Sequence, residues 1–338
     1  MAKKVECPVS LLRGIQLYRG GKMEQELKNK KIAVIGIGGV GGYLGGMLAN
    51  AYPHVTFAAR GERAKAIREK GLMLHSDLSG EFIVTPEKVK PIEELEVQNI
   101  IFVCVKNYSL EEVCQKIGGA VSDETIIIPV MNGIDPGERT QKILGKGIVL
   151  DSLIYIIAFA DTDYSIRQQG KIMNLKIGTK NTHPDWQQAV RDVSDILTGA
   201  KINHEAAEDI ETEIWRKYIL NCAYNVATSY YDNTIGQLRN DPKKAEEYVE
   251  LVNEAFAVAR KKGIKVTQEQ MDKIIYQFYH ELADDATSSL QRDISTGKKS
   301  ELETFSGYIV REAKKLGMVI PVSEKMYEGL KSRTIKLR

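Results

Sequence analysis

Lys31-Ile-Ala-Val-Ile-Gly-Ile-Gly-Gly-Val-Gly41 is the stretch on which the fold turns. A compact run of branched residues, Lys31–Ile35, suits a strand buried on both faces of a parallel sheet. It runs directly into Gly36-x-Gly38-x-x-Gly41, and Val40–Ala51 then reads as a helix. The glycine pattern is common, and its place between a strand and a helix is what makes it a nucleotide-binding turn. Gly36 permits the tight turn, Gly38 lets a pyrophosphate approach the backbone, and Gly41 lets helix and strand pack closely. Gly39 and Val40 complete a helix N-terminus that attracts phosphate charge. Gly36, Gly38, Gly39, Val40 and Gly41 are therefore the first candidate cofactor residues.

Outward from this turn the grammar repeats. Val55–Ala59, Ile100–Val105 and Thr125–Val130 are further strand-like runs, separated by helix-like Glu62–Lys70, Leu110–Ile117 and Pro136–Leu144. Alternation of this kind predicts a doubly wound α/β domain of Rossmann type with a parallel sheet, spanning residues 31–205. Leu150–Ala160 and Lys171–Ile177 read as an added hairpin. After about Glu205 the strand runs stop. Glu208–Ser229, Lys243–Lys262, Gln268–Ala283 and Ser300–Leu316 are long and helix-periodic, with Gly263 and Gly317 placed as C-caps. Residues 206–338 are thus predicted to be all-helical. Residues 1–30 form an N-terminal extension, and Met23 offers an alternative start.

Composition narrows the function. Forty-seven basic and 45 acidic residues leave a net charge of +2, which gives no reason to expect nucleic acid or an anionic membrane. No stretch reaches the ~18 uncharged apolar residues of a membrane span, and residues 1–30 lack the apolar core of a secretory signal. Cys7, Cys104, Cys114 and Cys222 form no C-x-x-C pair, and three lie in apolar segments, as expected of reduced thiols in a cytoplasmic protein. His54, His75, His183, His204 and His280 are scattered without ligand spacing, so no metal site is expected.

The end of the second strand carries more information than the glycines. An enzyme specific for NAD usually has Asp or Glu there, bound to the ribose 2′-hydroxyl. Here Ala58-Ala59-Arg60 is followed by Gly61-Glu62-Arg63. A guanidinium at Arg60 suits a 2′-phosphate, which points to NADPH/NADP+.

In the helical half, Lys217, Asn221 and Asn225 stand at i, i+4 and i+8. Steps of four advance about 40° each, so the three share one face of a helix. Ile219, Leu220, Cys222, Ala223, Val226 and Ala227 fill much of the rest, so the helix should be buried. An ammonium and two amides in that setting need partners. A ligand cavity and a structural hydrogen-bond network both satisfy the requirement.

A resemblance bears on the choice. Lys106 at the end of one strand run, Asn132-Gly133 after the next, Glu213-Ile-Trp-Arg-Lys-Tyr-Ile-Leu-Asn221, and Ser288-Ser-Leu-Gln-Arg-Asp-Ile-Ser-Thr-Gly-Lys-Lys-Ser-Glu301 follow the glycine turn in order. Over residues 31–321 the sequence resembles the ketopantoate reductase family. The resemblance implies a Rossmann domain and a helical domain of the 6-phosphogluconate dehydrogenase type. It also implies NADPH-dependent reduction of 2-dehydropantoate to pantoate, a step of pantothenate and coenzyme A biosynthesis.

By the same resemblance Lys217 would be the general acid and Glu301 would organise the site beside substrate and cofactor. Asn221 and Asn225 would bind the substrate's hydroxyl and polar edge, and Ser289 its carboxylate. Asn132 would lie beside nicotinamide and substrate, and Lys106 near the nicotinamide ribose. Asp293 reads as structural. The residue types suit the chemistry: hydride attack on a keto carbon builds negative charge on oxygen, which a cationic proton donor stabilises. Ala286, three positions before Ser289, stands where some members carry an amide. That difference keeps a second reading open, a reductase of another small 2-keto or 3-keto acid. A non-catalytic NADP-sensing protein is a third. A homodimer is compatible with all of them.

Overall fold

The computed structural model describes residues 25–336. Cys7, Met23 and most of the N-terminal extension lie outside the described residues. The first half is built on β1 (Ile32–Ile35), α1 (Gly39–Ala51), β2 (Val55–Ala58), α2 (Gly61–Lys70), β3 (Leu72–Ser76), β4 (Gly80–Val84), β5 (Lys88–Lys90), β6 (Ile100–Val103), α3 (Leu110–Lys116), β7 (Ile126–Pro129), α4 (Pro136–Leu144) and β8 (Ile148–Val149). Six of the strands form one sheet in the order β5-β2-β1-β6-β7-β8, every pair parallel. Side chains alternate along β1: Ile32 and Val34 enter one apolar core, Ala33 and Ile35 the other. Both faces are covered, which explains why these runs are continuously apolar.

A second sheet enlarges the expected hairpin. β9 (Asp151–Ala160) pairs antiparallel with β10 (Ile166–Gly178), and β10 also pairs with β3 and with β11 (His204–Ala206), in the order β11-β10-β3-β4. β10 starts five residues earlier than the apolar run Lys171–Ile177 suggests, because the polar Arg167, Gln168 and Gln169 pair with Phe159, Ala158 and Ile157 of β9. β3 and β4 were not expected from the sequence, since their apolar runs, Leu72–Leu74 and Phe82–Val84, are only three residues long. Helix α5 (Pro184–Gly199) closes this half, placing Val193, Ile196 and Leu197 in the shared core.

From α6 (Ile210–Tyr231) onward the chain is helical: α7 (Ile235–Arg239), α8 (Pro242–Lys261), α9 (Gln268–His280), α10 (Ser289–Ser295), α11 (Tyr308–Lys315) and α12 (Pro321–Lys336). Gly263 and Gly317, with φ of +83° and +65°, follow α8 and α11 as C′ residues. The expected helix Ser300–Leu316 is interrupted, since Glu303–Gly307 forms a π-helical turn before α11. Trp215, Tyr218, Ile219 and Ala223 of α6 pack at the centre of the helical core. No helix among the described residues is long and apolar enough to cross a membrane.

Candidate functional site

The glycine turn leaves the C-terminal end of β1 and is shaped for close approach. Gly36 has φ +88°, and a Cβ there would stand 2.7 Å from the Cys104 carbonyl oxygen. A Cβ on Gly41 would collide with the Gly36 carbonyl oxygen, and one on Gly39 with the Ala158 carbonyl of β9. At Gly38 it would meet nothing among the described residues within 4 Å. The backbone is thus packed from behind at Gly36, Gly39 and Gly41 and open in front at Gly38. The α1 N-terminus has no side-chain cap among the described residues, leaving its amides for an anion. The cradle fits a dinucleotide pyrophosphate.

Arg60 is exposed at the N-cap of α2, beyond the end of β2. Arg63 does something the sequence did not suggest. Its guanidinium donates to the Ile37 carbonyl inside the glycine turn and lies 5.2 Å from the centre of the Tyr164 ring, in the β9–β10 loop. Three segments meet there at the rim of the cradle.

Lys106, Asn132, Lys217 and Glu301 converge at the C-terminal ends of β6 and β7. Lys217 Nζ donates to the Ile154 carbonyl of β9 at 2.6 Å and to Asn132 Oδ1 at 3.4 Å. The Tyr155 ring centre is 5.5 Å from the ammonium. Burial pulls Lys217 down to about 8, while the Glu301 carboxylate opposes that fall. Glu301 does not touch Lys217: its Oε2 accepts from Lys106 Nζ at 3.2 Å, and its Oε1 accepts from the Asn107 backbone N–H at 3.1 Å. Lys106 also pairs with Asp293 at 3.2 Å. Burial works against the charge on Lys106, yet the two carboxylates outweigh it and hold its pKa above the ordinary value.

One turn along α6 from Lys217, the Asn221 side-chain amide has no hydrogen-bond partner among the described residues. Asn225 differs. It is buried, its Nδ2 donates to the Asn221 carbonyl, and its Oδ1 accepts from Ser289 Oγ at 3.3 Å and Leu290 N at 3.4 Å. Its amide is thus engaged in holding the start of α10 against α6. Ser288, not Ser289, caps that helix, accepting from Gln291 N. Ser289 is left at the first helical position with its hydroxyl on Asn225.

The sequence matches the family described as ketopantoate reductase PanE/ApbA over residues 32–182, and its C-terminal domain, ketopantoate reductase PanE/ApbA C terminal, over residues 209–334. The chain belongs to the ketopantoate reductase family. Its coarse activity, that of an oxidoreductase, follows, and members of the family use a nicotinamide cofactor on small keto acids. The chain is 27% identical to an uncharacterized oxidoreductase, YkpB, of Bacillus subtilis (strain 168), covering 89% of this chain and 97% of that one. It is 28% identical to the 2-dehydropantoate 2-reductase of Pyrococcus abyssi, covering 90% and 97%. Among solved structures it resembles a D-mandelate dehydrogenase in ternary complex with NADH and anilino(oxo)acetate. There the TM-score is 0.81 at 20% identity, with 91% of this chain and 99% of that chain covered. That last likeness is one of fold.

Within this family member, sequence reasoning passed over Asn107. It is 5% exposed and ties the site together. Its N–H holds Glu301, its Nδ2 donates to the Asn132 carbonyl at 2.8 Å, and its Oδ1 accepts from Arg139 Nη1 at 2.6 Å. Nothing in the sequence marks it except its place after Lys106 at a strand end. Behind this wall lies a cavity of about 650 Å³, lined by Asn107, Gly133, Arg139, Glu301 and Tyr308 among others. The glycine turn, Lys217, Asn221 and Ser289 do not line it. No cluster of metal-ligating side chains occurs among the described residues. His183 caps α5, and His54 and His75 pair with Glu87 and Glu81.

Proposed function

We propose that the chain reduces 2-dehydropantoate (ketopantoate) to pantoate with NADPH, a step of pantothenate and coenzyme A biosynthesis carried out in the cytoplasm. Residues 31–205 form the nucleotide half and residues 206–338 the substrate half. The observation that carries the reading is the pairing of Lys217 with Asn221 on one face of α6. Two of the three N–H groups of Lys217 are engaged by Ile154 and Asn132, and the next turn presents the Asn221 amide, which has no partner among the described residues.

Bound NADPH supplies a hydride for C2 of the keto acid. The residues do the rest. Gly38 and the α1 amides receive the pyrophosphate, and Arg60 receives the 2′-phosphate. The remaining N–H of Lys217 points a proton at the keto oxygen, where negative charge develops. With a pKa of about 8 the ammonium is a stronger acid than an exposed lysine, yet largely protonated at neutral pH. Asn221 binds the substrate hydroxyl, Ser289 its carboxylate, and Asn225 keeps Ser289 in place. Asn132 orients Lys217, and Glu301 and Lys106 set the field around it.

The test is oxidation of NADPH, followed by its absorbance, against a panel of 2-keto acids, with ketopantoate expected to be turned over best. A second reading, reduction of a different small 2-keto or 3-keto acid, is favoured by Ala286. It packs on the helical core and offers no amide beside Ser289. A clear preference for another acid establishes that reading, and turnover of none establishes a non-catalytic NADP-binding role. Sedimentation of the purified chain tests a homodimer.

A further inference from the structure

Glu301 sits at the mouth of the π-helical turn. The N–H groups of Thr304 and Phe305 both donate to the Glu301 carbonyl, at 3.0 and 3.1 Å. A π turn displaces backbone carbonyls from the regular helical ladder, and displaced carbonyls in a core need donors. Here α6 provides them. Tyr218 Oη donates to the Thr304 carbonyl at 2.8 Å and to the Phe305 carbonyl at 3.3 Å, and Cys222 Sγ donates to the Phe305 carbonyl at 3.0 Å. Both side chains are buried, and burial pushes the phenol and the thiol well up, so both keep their protons.

Tyr218 and Cys222 are four residues apart and each follows a residue of the polar stripe, Lys217 and Asn221. One position is about 100° around a helix, so α6 carries two neighbouring stripes. Lys217 and Asn221 belong to one, and Tyr218 and Cys222, on the next, grip the turn that follows Glu301. We propose that Tyr218 and Cys222 are positioning residues that set where Glu301 stands relative to Lys217, by holding the π turn in a single register against α6.

This rests on the reading of Lys217 as proton donor. Lys217 faces Asn132 Oδ1, the Ile154 carbonyl, the Tyr155 ring and the field of Glu301. Glu301 faces Lys106 and the Asn107 N–H, with Asp293 across Lys106. Glu301 is the charge that favours the Lys217 ammonium, so displacing it makes Lys217 lose its proton at lower pH.

The test is the pH profile of kcat/KM for the keto acid in Tyr218→Phe, beside Glu301→Gln. Tyr218→Phe removes one hydroxyl and keeps the ring, which packs edge-on to Trp215 and Tyr308 at 5.8 and 5.7 Å. The alkaline fall in activity is expected at lower pH in both variants. For a displacement approaching 1 Å, kcat in Tyr218→Phe should drop roughly tenfold or more, with NADPH affinity unchanged. Leu330→Ala, in the buried face of α12, serves as control: it lowers Tm and leaves the profile where it was. If Glu301→Gln shifts the fall while Tyr218→Phe only lowers Tm, the positioning role is overturned. If neither shifts it, the Lys217–Glu301 reading fails first and the positioning role falls with it. Should Tyr218→Phe not fold, Cys222→Ala removes one donor from Phe305 and must shift the fall in the same direction, and an unmoved profile overturns the proposal equally.

Discussion

Replacing Lys217 by Met should stabilise the protein at neutral pH while removing its activity. Burial lowers Lys217 from 10.5 to about 8, so holding its ammonium in the fold at pH 7 costs about 3 kcal/mol at 1.36 kcal/mol per pH unit. Met keeps the long apolar stem and removes the charge. Against that gain stand the lost bonds to Ile154 and Asn132. Two orphaned acceptors, one of them on the half-buried Asn132, cost about 1–2 kcal/mol. The net expectation is a gain of about 1–2 kcal/mol at pH 7. The sign with pH follows from the depressed pKa. Between about 8 and 10.5 the unfolded chain binds more protons at this lysine than the folded one, so wild-type stability rises with pH across that window. The advantage of Lys217→Met is therefore full below about pH 8 and gone above 10.5. Urea unfolding of both proteins at pH 7 and near pH 10 measures it, with kcat on the same samples. A variant less stable than wild type at both pH values would refute the argument that this lysine is held in the fold against its own desolvation. A variant with near-normal kcat would remove Lys217 as proton donor.

Three further outcomes follow from the site. Arg60→Ala should weaken NADPH by about 1.5–3 kcal/mol, the worth of charge-assisted hydrogen bonds, and leave NADH unchanged. Equal wild-type affinity for the two cofactors, measured by fluorescence titration, contradicts the assignment of Arg60. Gly38→Val should fold normally, its side chain entering open space, yet lose dinucleotide binding, whereas Gly39→Val should lower Tm sharply because its side chain enters the Ala158 carbonyl. Matching Tm losses in the two would mean that Gly38 is packed and not open. Asn221→Ala should reduce kcat/KM for the keto acid by about 10- to 100-fold at ~1–3 kcal/mol with Tm little changed. Asn225→Ala should instead lower Tm, because Ser289 and the Leu290 N–H lose their acceptor. The opposite pattern would exchange the roles of the two amides.

The sequence by itself determined the elements whose signal is local. Strand runs buried on both faces are continuously apolar, so β1, β2, β6 and β7 were legible to within two residues, and so was the parallel sheet they form. The glycine turn was legible because its spacing, set between a strand run and a helix run, is a local pattern, although Cys104 and Ala158, which pack against Gly36 and Gly39, arrive from far along the chain. The polar stripe of α6 was legible because helical periodicity depends on spacing alone. Tertiary structure decided what depends on distant partners. β3 and β4 pair with each other, and β3 joins the second sheet by pairing with the distant β10, which no local pattern records. Asn221 and Asn225 look alike in the sequence, and only the arrival of α10 engages the Asn225 amide, while that of Asn221 has no partner among the described residues. The Glu301 carboxylate is bound to Lys106 and Asn107, 195 and 194 positions away, and it acts on Lys217 through its field. Asn107, Arg63 and Tyr218 carry no periodic signal, because what each does is set by a carbonyl or carboxylate that the fold brings to it.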